Sequence, residues 1–245
     1  MPPDFTGYKE VLCTDSKELK HYYETSLWAL EFCLEQLNDA DWKNKTGKWR
    51  LEKKDEVDAI YSKQHKTYGK MFGTTAFMEF GGTLEDFFKE FYENIEETPK
   101  WHADVAAYYK ICDVGRQSDV VYATSKDNVL GGLLSSRDFL STRCWRKIDD
   151  GYYVGNKTVE CPLMPEVRKK IRCETLFEIA ILRKTNHPHI FEYTWMNKSD
   201  YKGYLPRAVT DRVMHYSIMN YVKRLRKHLQ TKFPLDFHNK SDIIE

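Results

Sequence analysis

Hydrophobic residues recur at steps of three and four in two long stretches of the chain, one near each end. This is the period of an amphipathic α-helix. In the first stretch, residues 15–38, the recurring residues are Leu19, Tyr22, Tyr23, Leu27, Leu30, Leu34 and Leu37. The second begins at Pro206, which suits a first helical turn. It carries Val209, Val213, Ser217, Tyr221 and Leu225 along one side.

Between these helices the pattern is that of β-strands. Short segments rich in aromatic and β-branched residues begin at Trp49 and are separated by polar breaks. The breaks are too short for crossover helices, so we expect antiparallel pairing. One segment, residues 83–95, has the helical period instead. Its Thr83 and Asp86 form a variant of the capping box, so the sequence predicts one short helix of roughly three turns between strands.

This order predicts an α+β fold. A curved antiparallel sheet of about nine strands would wrap around the long C-terminal helix, because that helix has only the concave face on which to bury its apolar side. The N-terminal helix must pack on the sheet as well. We expect one domain over residues 15–232, with residues 1–14 and 233–245 as short terminal extensions.

Composition excludes several classes of function. The net charge of +1 argues against nucleic acid as the main partner, since phosphate binding needs a concentrated positive field. The six cysteines are widely spaced and match no zinc motif, so we expect reduced thiols. Neither a secretion signal nor a membrane-spanning stretch is apparent, which predicts an intracellular protein.

The common enzyme signatures are also missing from the sequence. It contains no G-x-S-x-G, H-E-x-x-H, P-loop or G-x-G-x-x-G segment. We therefore expect no catalytic residue, no metal site and no cofactor. His187 and His189, which could pair as metal ligands on alternate positions, are more typical of a proline-flanked turn.

Four segments are similar to one known family. They are KWHADV around Trp101, GGLLSSRDFLSTR at 131–143, MPE at 164–166 before IRCE, and SDYKGYLPRAV at 199–209. Together they resemble the steroidogenic acute regulatory protein-related lipid transfer (START) domains over residues 15–229. The Asp-x-Lys-Gly-x-Leu-Pro segment before the last helix resembles the sterol-carrying branch. The resemblance implies a helix-grip fold with a tunnel for one lipid, and non-vesicular transfer of that lipid.

Arg143 is the residue whose environment matters most. Strand alternation puts Phe139, Ser141, Arg143 and Trp145 on one face of their strand. The resemblance implies that this arginine points into the tunnel, helps to position the sterol hydroxyl, and pairs with an acid nineteen residues earlier. That position is Thr124, so the expected acid is missing. Glu178 or Glu192 could replace it, an anionic lipid could neutralise the charge, or Arg143 could be exposed.

Further lipid contacts are expected from the terminal helix and two other segments. Met214, Ser217, Ile218, Tyr221 and Leu225 fall on neighbouring turns and should face the sheet, where they would be either a dry core or the tunnel lining. The resemblance favours the lining. Together with Arg143 and Thr124, the candidate lipid-binding residues also include Tyr122 and Trp101.

The segment at 126–136, KDNVLGGLLSS, predicts a gate. Its Leu130, Leu133 and Leu134 surround two glycines in a loop between strands, where apolar residues are unusual unless they contact something. In the family this loop covers the tunnel mouth. We expect the leucines to lie against the terminal helix in the closed form and to touch the bilayer when the gate opens. The alternative is that they are ordinary packing residues, and the two roles are compatible.

The sequence thus predicts an intracellular lipid-transfer protein, with cholesterol or a related sterol as cargo. A carrier of a phospholipid or other anionic-headed lipid is the alternative, as is a lipid-sensing interaction module. Its expected partners are the lipid and, transiently, a membrane surface, with no nucleic acid. We expect a cytoplasmic monomer that associates peripherally with organelle membranes.

Overall fold

The computed structural model describes residues 9–38, 40–127, 135–149, 151–203 and 205–235. Its α-helices are α1 (Lys17–Leu37), α2 (Ala40–Asn44), α3 (Leu84–Phe88), α4 (Thr98–Trp101) and α5 (Arg207–Lys232). Its strands are β1 (Trp49–Lys54), β2 (Ala59–His65), β3 (Gly69–Glu79), β4 (Val105–Gly115), β5 (Ser118–Ser125), β6 (Arg137–Ile148), β7 (Gly151–Thr158), β8 (Ile171–Arg172), β9 (Glu174–Lys184) and β10 (Ile190–Asp200).

Nine of these strands form one antiparallel sheet in the order β1-β2-β3-β10-β9-β7-β6-β5-β4. The two-residue strand β8 adds to β6 in parallel, outside this path. The sheet and its two long helices confirm the predicted helix-grip architecture. Consecutive strands pair as hairpins at both ends of the sheet, while β10 crosses back to join β3 in the middle.

Helix α1 packs on one face of the sheet. Ser16 caps it by accepting a hydrogen bond from the amide of Glu18, and its leucines pack against β6, β7 and β9. The closest approach is at Gly155 of β7. A Cβ atom there would lie 2.6 Å from Cβ of Leu30 and 2.7 Å from the carbonyl oxygen of Ser26. Only glycine lets the helix come this near to the strand.

Helix α5 lies against the opposite, concave face. In its C-terminal half, Val222, Leu225 and Leu229 join Tyr152 and Val154 of β7 in the largest core cluster. Its N-terminal half contacts the sheet at a second cluster. A cavity lies between these contacts. None of the described helices is long and apolar enough to cross a membrane.

The helix predicted for residues 83–95 is shorter than expected. The capping box of Thr83 and Asp86 is confirmed, but α3 ends at Phe88 and a π-helical turn follows over Lys89–Glu93. A 3₁₀ turn, Ile95–Glu97, then leads into α4. In the π turn, buried Glu90 bonds to His228 and Lys232 of α5, a contact distant in sequence that periodicity could not predict.

Candidate functional site

The cavity between α5 and the concave face has a volume of about 330 Å³. That is within the range of roughly 300–1,000 Å³ usual for ligand pockets. Strands β3 to β7, β9 and β10 contribute residues to its walls, and α5 covers it. Its apolar lining includes Phe91, Val121, Ala123, Phe139, Trp195, Met214 and Ile218. A molecule in this cavity would contact mainly hydrocarbon side chains. The polar side chains of the wall are concentrated at the two ends of the cavity.

The polar groups form a row across the sheet. Asp119, Arg143, Asn156, Glu178 and Asn197 are directly opposite one another on the successive strands β5, β6, β7, β9 and β10. Residues directly opposite in a sheet point to the same face. All five side chains are therefore on the face that α5 covers. We call this set the polar row.

Arg143 and Asp119 form a bidentate ion pair at one end of the polar row. Nε of Arg143 donates to Oδ1 of Asp119 at 2.9 Å, and Nη2 donates to Oδ2 at 2.7 Å. The pair corrects the expectations from the sequence. Arg143 does have an acid on its neighbouring strand, and that acid is neither Glu178 nor Glu192. Thr124 is opposite Asp138 instead, five residues from Arg143 along β6.

Protein groups also satisfy the rest of the guanidinium. Nη1 donates to the hydroxyl of Tyr108 at 3.3 Å, Nη2 donates to the carbonyl of Tyr92 at 3.2 Å, and the group stacks 3.9 Å above the Tyr92 ring. Burial alone would lower the pKa of Arg143, but attraction to Asp119 raises it well above its ordinary value. Arg143 is 3% exposed and does not border the cavity. Its hydrogen-bond partner Tyr108 does border the cavity.

Three members of the polar row, Glu178, Asn156 and Asn197, do border the cavity, and Glu178 is the charged residue among them. Its Oε1 accepts a hydrogen bond of 3.1 Å from Nδ2 of Asn156, and its Oε2 accepts one of 2.7 Å from Nδ2 of Asn197. The Glu178 side chain is half-buried, and it borders the space of the cavity. Burial raises the pKa of Glu178, although the two amides and Trp195 oppose that shift.

The other end of the cavity is basic. Arg137 is six residues before Arg143 on β6, borders the cavity and is 5% exposed. Its Nη1 donates to the carbonyl and hydroxyl of Ser135. Beside it, Lys170 donates to the hydroxyls of Thr124 and Ser136 at 2.7 and 2.9 Å. Asp138, the residue after Arg137 on β6, points to the opposite face of the sheet and pairs with Arg172 at 3.0 Å.

Four of the five α5 residues singled out in the sequence border the cavity: Met214, Ser217, Ile218 and Tyr221. Leu225 does not. It is one turn beyond Tyr221, fully buried in the dry core cluster between helix and sheet. Thr124 borders the cavity, although its hydroxyl donates to the carbonyl of Arg137.

The expected placement of Tyr122 and Trp101 needs correction, since neither borders the cavity. Tyr122 is on the face that α1 covers and packs with Tyr22 and Leu140, because its position along β5 has the opposite parity to Asp119. Trp101 stacks on His228 of α5 at 5.1 Å, outside the cavity wall. The gate residues Leu130, Leu133 and Leu134 lie outside the described residues.

The sequence-based set of site residues missed Asn156, Asn197 and Tyr108, and proposed Glu178 only as a partner for Arg143. Alternation could have found Asn197, since Tyr193, Trp195 and Asn197 occupy one face of β10 and all three border the cavity. Among the described residues no three His, Cys, Asp or Glu side chains gather as a metal site.

Two known proteins are similar to most of this chain in sequence. "Steroidogenic acute regulatory-like protein 1" of Caenorhabditis elegans is 28% identical over 198 residues, which are 79% of this chain and 73% of that protein. The human "Steroidogenic acute regulatory protein, mitochondrial" is 24% identical over 185 residues, 75% of this chain. The match spans 64% of the human protein, less than two thirds of its length.

Solved structures agree in fold. "Human StAR-related lipid transfer protein 5" superposes with a TM-score of 0.74 at 17% identity, covering 87% of this chain and 98% of that one. Human STARD10 superposes with a TM-score of 0.66 at 16% identity, covering 94% and 87%. The family model of the START domain matches residues 29–232, which include all of α5 and every strand of the sheet. The protein therefore belongs to the START domain family.

Proposed function

We propose that this protein binds one lipid in the cavity beneath α5 and carries it between membranes. The observation that carries the proposal is the mostly apolar cavity of about 330 Å³, which Asn156, Glu178 and Asn197 of the polar row border at one end. An amphiphile with one small polar end fits this distribution. Its apolar body would gain the free energy of leaving water, while the polar end keeps hydrogen bonds.

A sterol is the proposed cargo. The segment before α5, DYKGYLP at 200–206, resembles the sterol-carrying branch of the family. Two relatives at 24% and 28% identity are named as steroidogenic acute regulatory proteins, and one structural neighbour is named a lipid transfer protein. A rigid ring system loses little conformational entropy on binding, which suits a cavity with well-packed walls.

We assign membrane contact to the loop at 126–136, with Leu130, Leu133 and Leu134 as the inserting residues. The basic segment at 223–228 of α5 is a weaker candidate because acids of the same chain hold its cations. Lys223 pairs with Asp55 at 2.6 Å and Arg226 with Asp58 at 2.6 Å. We propose that the protein works as a cytoplasmic monomer that associates peripherally with membranes.

Two measurements test this function. Mass spectrometry of lipid that co-purifies with the protein should find a sterol. Labelled sterol should move between donor and acceptor vesicles faster with the protein than without it. A Leu133→Asp, Leu134→Asp double variant should bind sterol normally but transfer it more slowly. Vesicle exchange no faster than the spontaneous rate would reject the carrier function and favour a sensing module.

A second candidate cargo is a lipid with an anionic head group. Arg137 favours it: among the described residues no carboxylate pairs with Arg137, and its Nε has no hydrogen-bond partner. An anion at that end of the cavity would satisfy this group. The ratio of phospholipid to sterol in the co-purified material separates the two cargoes.

A further inference from the structure

Glu178 is a carboxylate in a lipid-sized cavity without a cation against it. In the described parts of the chain, no nitrogen of Lys, Arg or His comes within 4.0 Å of its oxygens. Only neutral donors hold it: the amides of Asn156 and Asn197, and the indole N–H of Trp195, which also lowers the Glu178 pKa. Removing a carboxylate from water is costly unless donors replace the lost hydrogen bonds. Two amides and one indole N–H fill only part of the capacity of two carboxylate oxygens, which is about four hydrogen bonds.

The cation of the polar row, Arg143, already pairs with an acid. Arg143 gives two hydrogen bonds to Asp119, so that pair has no net charge to offer. Strand β7 with Asn156 also separates Arg143 from Glu178 in the row, which places their backbones about 10 Å apart at two strand spacings. Among the described residues the carboxyl group of Glu178 therefore has no ion-pair partner.

The unused hydrogen-bonding capacity beside Glu178 is that of acceptors. Oδ1 of Asn156 has no donor in the described structure, since Nδ2 of the same amide is turned to Glu178. Oδ1 of Asn197 already accepts from Ser199 at 3.0 Å. The hydroxyls of Tyr193 and Tyr221 nearby can serve either role because they rotate. The fixed preference of the site comes from the carboxylate.

We propose that Glu178, held by Asn156 and Asn197, binds the polar end of the cargo and selects a lipid whose polar end donates a hydrogen bond. This inference rests on the proposed function and narrows its substrate class to lipids with a hydroxyl. A ketone offers only an acceptor and leaves the carboxylate unpaired. A sulfate or phosphate adds repulsion between like charges in a site of low dielectric constant.

The remaining length of the cavity suits this orientation. Arg137, at the basic end, is six residues from Arg143 along β6, which is about 20 Å at ~3.3 Å per residue. The rigid apolar body of a 3β-hydroxysterol would extend from Glu178 past Ala123 and Phe139 toward that end. The polar end then binds at the end of the cavity opposite Arg137.

The test compares three sterols that differ only at the polar end: a 3β-hydroxysterol, its 3-keto counterpart and its 3-sulfate. Each competes with a fluorescent sterol for the purified protein. We expect the hydroxysterol to bind at least roughly tenfold more tightly than the ketone, since only the hydroxyl can donate a hydrogen bond to the carboxylate. The sulfate should bind more weakly still.

Glu178→Gln supplies the matched variant, because the amide keeps the shape but can donate as well as accept. Its preference for the hydroxysterol over the ketone should fall to within about threefold. Glu192→Gln is the control: this carboxylate is on β10 but faces away from the cavity and contacts Arg183 and Thr194. It should keep the preference of the unchanged protein.

The outcomes separate this inference from the function on which it rests. Equal affinity of the unchanged protein for hydroxysterol and ketone would overturn the role of Glu178 while leaving sterol transfer intact. Tightest binding of the sulfate would do the same and would favour Arg137 as the anchor. Failure to bind any of the three sterols would overturn both proposals. The comparison of ligands on the unchanged protein needs no variant to fold.

Discussion

Asp119 and Arg143 lie directly opposite each other on β5 and β6 and share two hydrogen bonds of 2.9 and 2.7 Å. Both side chains are nearly inaccessible, at 7% and 4% exposure. The charge of Arg143 is thus compensated within the sheet. It requires no anionic cargo, which is consistent with Glu178 as the proposed polar contact to the lipid.

Breaking this pair from one side should be costly. Asp119→Asn leaves the Arg143 guanidinium buried without a counter-ion, and we expect the free energy of unfolding to fall by about 3–5 kcal/mol. Asp119→Asn with Arg143→Met should recover much of that loss, because no isolated charge remains. Urea denaturation of the single and double variants measures both effects. Equal destabilisation by the single and double variants would contradict the buried-pair account.

Filling the cavity should block binding without unfolding the domain. Ala123 borders the cavity opposite Phe139 on the neighbouring strand. In Ala123→Phe the ring would occupy part of the proposed lipid cavity. We therefore expect sterol affinity to fall by at least roughly tenfold, or about 1.4 kcal/mol. Ala106→Phe, at an exposed position of β4, is the control and should bind normally. Full affinity in Ala123→Phe would mean that the lipid binds elsewhere.

The contact between the π turn and α5 should make stability depend on pH in the acid range. Glu90 is 4% exposed and its carboxylate binds Asn94, His228 and Lys232 at 2.6 to 2.7 Å. Burial alone would raise the pKa of Glu90, but its hydrogen bonds to Lys232, His228 and Asn94 lower it below the ordinary 4.5. The folded protein therefore binds fewer protons here than the unfolded chain, so this contribution is lost as pH falls below about 4.5.

Glu90→Gln isolates this contribution from other acids with lowered pKa values, such as Asp55. At neutral pH the variant should be about 1–3 kcal/mol less stable than the unchanged protein. The difference should shrink as the solution is acidified, because the unchanged protein loses the ionised carboxylate. Glu93→Gln, exposed on the same turn, is the control. A stability difference that stays constant through the acid range would refute the ion-pair origin.

The approach of α1 to β7 should tolerate nothing larger than glycine at position 155. The added methyl group of Gly155→Ala would overlap the Ser26 carbonyl and Cβ of Leu30, so α1 must shift. We expect a loss of about 1–3 kcal/mol in the free energy of unfolding, as for other overpacked cores. Thermal unfolding provides the measurement. An unchanged midpoint would show that the helix can adjust freely.

Much of the fold was predictable because its determinants are local. The three-to-four-residue period marked α1 and α5, and the capping box marked the start of α3. The break after Phe88 was not predictable, because Glu90 is held by residues of α5 more than a hundred positions later. On α5, periodicity identified the buried side but could not separate Tyr221, at the cavity, from Leu225, in the core.

The sequence by itself determined the face of β6 that carries Arg143, because alternation along a strand follows from backbone geometry alone. It could not determine the partner. Counting nineteen residues back led to Thr124, whereas the register of β5 and β6 pairs Arg143 with Asp119. Register depends on the turn between strands and on packing across the sheet. For the same reason only the tertiary structure brought Asn156, Glu178 and Asn197 from three strands into one row.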